Sequence, residues 1–86
     1  MALTSDHLQT ACTLFGAATS LRDGAALWRA RYPDIRTIIV DAMDMRDESP
    51  ALELGHRRVY LAASDGHCWQ LTQRPELAAV LVLTEE

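Results

Sequence analysis

The chain has 86 residues and a mass of 9.6 kDa, which allows one small core and leaves no room for a second module. A hydrophobic share of 49% and a charged share of 23% are those of a folding chain rather than a disordered one. A formal charge of −4 and a pI near 5.2 argue against nucleic acid or an anionic membrane as partner, since both need a basic excess. No apolar run approaches the roughly 20 residues of a membrane helix, and the start Met1-Ala-Leu-Thr-Ser-Asp lacks a basic leader. The expectation is a cytoplasmic single domain over residues 1–86. There is no Lys, so all 8 basic side chains are Arg and Schiff-base chemistry has only the N-terminal amine. Asn is missing too, a skew that a GC-rich coding sequence explains as well as anion recognition by guanidinium does. Cys12 and Cys68, without an export signal, are expected not to form a structural disulfide.

In chain order, Ser5 to about Ala18 reads as an amphipathic helix with Leu8, Ala11, Cys12, Phe15 and Ala18 on one face. Thr4 or Ser5 can cap it, and Asp6 suits its positive end. A second helix runs from an N-cap at Asp23 to about Tyr32, where Pro33 stops it. Its buried stripe is Leu21, Ala25, Trp28 and Tyr32. From Ile35 to Ala42 the chain is β-branched and apolar, a strand covered on both faces or nearly so. Met43 to Pro50 is an acidic loop, Ala51 to Leu54 a short strand, and Gly55 a break. Val59–Ser64 and His67–Gln73 form a hairpin across Asp65-Gly66, a dipeptide that favours a tight two-residue turn. Arg74 to Leu77 is a turn, and Ala79–Thr84 is the last strand. The fold class is α+β, with two N-terminal helices packed on a mostly antiparallel sheet of four to five strands.

A two-residue turn at Asp65-Gly66 predicts Tyr60 opposite Leu71 and Ala62 opposite Trp69 on a core face. The other face then holds Val59 opposite Thr72, Leu61 opposite Gln70, and Ala63 opposite Cys68. That second face is half apolar, and two short helices hardly cover both. Each side chain left in water would forgo about 1.5–3 kcal/mol of burial. Self-association or a protein partner is therefore expected, with Val59, Leu61, Ala63, Gln70 and Thr72 as the docking residues, or an exposed sheet edge in their place. The alternative is that the loop Met43 to Gly55 folds back over that face.

Chemistry-bearing groups are few. Asp41, Asp44, Asp47 and Glu48, with Arg46 among them, could offer oxygen ligands to a hard cation, but the spacing fits no calcium loop and a solvated acidic loop explains them. His67 and Cys68 are adjacent on a strand and point to opposite faces, so one cannot activate the other. His56, His67 and Cys68 are zinc-ligand types without paired spacing. Trp28, Tyr32, Tyr60 and Trp69 could line a pocket but are needed as core. Charge alternates in blocks, positive over Arg22–Arg36, negative over Asp41–Glu48 and positive at His56-Arg57-Arg58, a pattern suited to complementary docking. No catalytic residue, cofactor or metal ligand is assigned.

The run Trp28-Arg-Ala-Arg-Tyr-Pro, the Val40-Asp-Ala-Met-Asp loop, Val59-Tyr-Leu and Ser64-Asp-Gly-His-Cys-Trp resemble a family of small uncharacterised proteobacterial proteins. Some members of that family accompany nitrogen-fixation genes. The resemblance covers about residues 25 to 85 and carries no functional residue. It implies an accessory role beside a larger metalloenzyme system. The expected function is thus a non-enzymatic accessory or adaptor protein acting through protein–protein contacts. The alternative is a small ligand- or metal-binding domain or enzyme built on the acidic loop 41–48 with His56 or His67.

Overall fold

A computed structural model of the protein describes residues 3–64 and 68–86. The architecture is α+β, two helices followed by a mixed five-stranded sheet. Helix α1 spans Ser5–Ala17 and helix α2 spans Leu21–Arg31. The strands are β1 (Arg36–Ile39), β2 (Leu52–Leu54), β3 (Arg57–Ser64), β4 (Trp69–Thr72) and β5 (Val80–Glu85), with 3-10 turns at Ala42–Met45 and Pro75–Leu77. Among the described residues no helix is long and apolar enough to cross a membrane.

Thr4 caps α1 reciprocally with His7: the His7 N–H donates to Thr4 Oγ1 and the Thr4 N–H donates to His7 Nδ1. The buried stripe of α1 is Ala11 and Phe15, whereas Cys12 is exposed, contrary to its expected place on the core face. Helix α2 starts before the expected Asp23 cap. Ser20 is the cap and Asp23 is its third helical residue, whose N–H donates to Ser20 Oγ at 3.1 Å. The Asp23 carboxylate in turn accepts from Thr19 Oγ1. The helices meet through Phe15 and Trp28, whose ring centroids are 5.7 Å apart. Gly24 makes this approach possible, because a Cβ there would lie 2.8 Å from Phe15 Cδ1.

The sheet order is β1-β5-β3-β2, with β4 also paired to β3. β1 runs parallel to β5, Ile38 beside Val82 and Ile39 beside Leu83; the other pairings are antiparallel. The chain turns from β2 to β3 through Gly55-His56, with Gly55 at φ 68, a conformation glycine adopts freely at the first position of a tight hairpin. β3 and β4 pair with Ala62 opposite Leu71 and Ala63 opposite Gln70, two residues away from the expected register. The expected turn at Asp65-Gly66 lies outside the described residues. Because the displacement is even, every side chain keeps its expected face.

The faces nonetheless exchange roles. The helices cover Val59, Leu61, Leu81 and Leu83, the side that the sequence suggested would need shelter. Arg57 shows why. It shares that face, and its Nη1 donates to Phe15 O at 2.7 Å and Ala18 O at 2.5 Å, tying the end of α1 to the start of β3. The opposite face holds a second cluster of Met45, Tyr60, Ala62, Val80 and Val82, with Ile38, Val40 and Leu71 at its margin. β1 and β2 lie towards opposite margins of the sheet, so the connection between them crosses this face. Met45 is driven into the cluster, and Tyr60 Oη donates to Met45 O at 3.2 Å. The connection thus covers this face rather than the face of Val59 and Leu61, over which the loop was expected to fold. Met45 is buried here, whereas Leu52 and Leu54 pack on the helix-side cluster and Met43 is exposed.

Candidate interaction surface

The residues expected to dock a partner are distributed by this arrangement. Val59 and Leu61 are 0% and 2% exposed beneath the helices, so they are core and cannot form a free docking face. Ala63 and Thr72 are half-buried and Gln70 is exposed at the far end of β3 and β4. Among the described residues, no hydrogen bond or ion pair joins a carboxylate of the acidic loop to His56. Asp41 Oδ1 accepts the Met43 N–H at 2.9 Å as the cap of the 3-10 turn, and Asp44, Asp47, Glu48 and His56 are exposed. His67 lies outside the described residues. Among the described residues no three His, Cys, Asp or Glu side chains gather so as to hold a metal ion. Cys12 and Cys68 are both exposed and not joined to each other. Trp28 and Tyr60 are buried core, as a domain with so few aromatics requires, and Trp69 is partly exposed.

Among the described residues two charged groups are shifted, each toward the form that carries its charge. The Tyr60 hydroxyl, followed by Glu86, holds the Arg58 guanidinium above its ordinary value. Hydrogen bonds from its own backbone and from Arg74 hold the exposed Glu76 carboxyl below its ordinary value. Between the ends of β1 and β5 lies an open cleft of about 360 Å³ walled in part by Asp41, Arg46, Glu85 and Glu86.

The feature that stands out is the outer edge of β1, an end strand with no pairing partner on that side among the described residues. The Val40 N–H donates inward to Leu83 O at 3.0 Å. Main-chain groups alternate in direction along a strand, so Arg36, Ile38 and Val40 face β5, and the N–H and C=O of Thr37 and Ile39 face outward. The sequence of the strand is β-branched, free of proline, and carries Arg36 as its one charge. Edge strands are commonly guarded by proline, bulges or inward charges; here brevity and one arginine are the protection. Being at the margin, β1 is less covered than the sequence suggested. Ile38 and Val40 are half-buried, and Ile39 is 48% exposed. Sequence reasoning named an exposed edge without locating it, because the parallel β1–β5 pairing is what makes β1 the margin.

No family model matches the chain, and neither the curated proteins nor the solved structures contain a match.

Proposed function

We propose that this chain is a non-enzymatic accessory or adaptor protein that takes an extended segment of a partner protein against the outer edge of β1 as an added strand. The observation that carries the reading is the outward pair of main-chain groups at Thr37 and Ile39 beside the half-exposed Ile39 side chain. Added strands gain affinity from main-chain hydrogen bonds and selectivity from side chains at alternate positions. An accessory role beside a nitrogen-fixation system, implied by the resemblance, belongs to the same proposal and rests on the quoted segments alone. The test is photocrosslinking in cells that make the protein, with p-benzoylphenylalanine placed at Ile39 or, as a control, at the exposed Arg29 of α2. A discrete protein adduct from position 39, lost when Thr37→Pro is added, is the expected result. Equal labelling from both positions, or none from position 39, would overturn it.

A further inference from the structure

We propose that the strand accepted by the β1 edge is β1 of a second copy, added antiparallel about a two-fold axis through Ile38; this rests on the edge reading above and names its partner. The outward groups belong to Thr37 and Ile39, so an antiparallel neighbour satisfies them best when Thr37 of one copy faces Ile39 of the other. The two-fold axis makes that pairing occur twice, and each such pair exchanges two main-chain hydrogen bonds. Ile38 then meets its own symmetry mate on the face roofed by Met45, at the closer of the two antiparallel spacings. On the helix face, the half-exposed Ile39 lies beside the partner's Thr37, a pair of β-branched side chains that suits a pleated surface.

Charge selects this direction. β1 begins with Arg36 and is followed closely by Asp41, so the basic start of one strand lies against the acidic end of the other, and again by symmetry. In-register parallel addition would instead set Arg36 against Arg36. A register with Ile39 opposite Ile39 would need Thr37 to pair with Asp41. That residue has already left the strand to cap the 3-10 turn, with its carboxylate engaged by the Met43 N–H. A register with Thr37 opposite Thr37 would need Ile39 to pair with Ile35, whose N–H already donates to Tyr32 O and whose C=O accepts from Trp28 Nε1, so the pairing centred on Ile38 is the one the segment favours. Its small contact predicts a weak, concentration-dependent dimer.

Sedimentation equilibrium of the purified full chain from about 1 μM to about 1 mM reads the assembly, and the range brackets weak association. The mass is expected to rise from monomer to dimer, with amide exchange slowing at Thr37 and Ile39 as it does. Ile39→Pro removes an outward N–H that the bond to β5 does not use, and should abolish the dimer while circular dichroism stays native. Arg36→Asp should weaken the dimer at least about tenfold, by setting like charges together at both ends; it decides the matter if the proline variant does not fold. A folded monomer at every concentration overturns the self-pairing, as does a dimer that survives in whichever folded variant is read. If the isolated chain is monomeric while position 39 still crosslinks to a different protein in cells, only the self-pairing has failed; if position 39 crosslinks to nothing, the edge reading has failed with it.

Discussion

Both faces of the sheet bury an apolar cluster, and the two are very differently built. On one, Val59, Leu61, Leu81 and Leu83 lie beneath two capped helices. On the other, Tyr60, Ala62, Val80 and Val82 lie beneath a crossing connection whose buried contribution is Met45, with side-chain hydrogen bonds to it from Tyr60 and Gln73. Burial alone does not reveal what would be lost if a cover moved. The helix face is closed by long elements tied to the sheet through Arg57, so a fault there spreads to the whole fold. A fault under the connection can open locally.

The largest expected effect follows from placing a charge under the helices. Leu61→Glu puts a carboxylate among the apolar side chains of Phe15, Trp28 and Leu81, and Arg57, the basic residue that shares this face, is already engaged by Phe15 O, Ala18 O and Glu85. A buried unpaired charge costs several kcal/mol, while a domain of this size holds about 4–13 kcal/mol. Loss of the cooperative thermal transition is therefore expected by calorimetry. A folded monomer with native circular dichroism would instead mean that the helices can leave this face, and the contrast between the two covers would collapse.

What the sequence made legible follows from the same two faces. The spacing of Phe15, Leu21, Ala25 and Trp28 shows the helices and their buried stripes, because apolar residues that recur every turn line one side of a helix. Strand parity separates Val59 and Leu61 from Tyr60 and Ala62 whichever turn joins β3 to β4. Which set the helices would cover was not legible, since both are apolar. The choice depends on Arg57, a residue that reads as surface until its guanidinium is seen against the carbonyls of Phe15 and Ala18. The margin of the sheet was illegible for a related reason: the parallel pairing of β1 with β5 joins segments far apart in sequence, and no local pattern announces it.

Met45→Ala sharpens the contrast at intermediate size. It empties the buried contribution of the connection and should cost about 2–3 kcal/mol by large-to-small substitution. Unlike Leu61→Glu, it should leave the helices folded. Hydrogen exchange should accelerate at Asp44 and Glu48, whose N–H groups bond within the turn, before it changes at Tyr32, whose N–H closes α2. Simultaneous acceleration at all three would show that the two faces are one cooperative unit.

The smallest effect has the opposite sign. Thr84 shares the face of Val82 and Tyr60, is 1% exposed, and its Oγ1 has no hydrogen-bond partner among the described residues. Such a hydroxyl costs free energy on folding that a methyl of the same shape does not. Thr84→Val keeps the volume and removes the orphan, so a gain of about 1 kcal/mol is expected, read as a rise of roughly 4–8 °C in Tm. Thr84→Ser keeps the hydroxyl and loses the methyl, and should lower Tm. If Thr84→Val is destabilising while Thr84→Ser is neutral, the hydroxyl has a partner such as a buried water. The face under the connection would then hold a polar contact, rather than being the less finished of two dry surfaces.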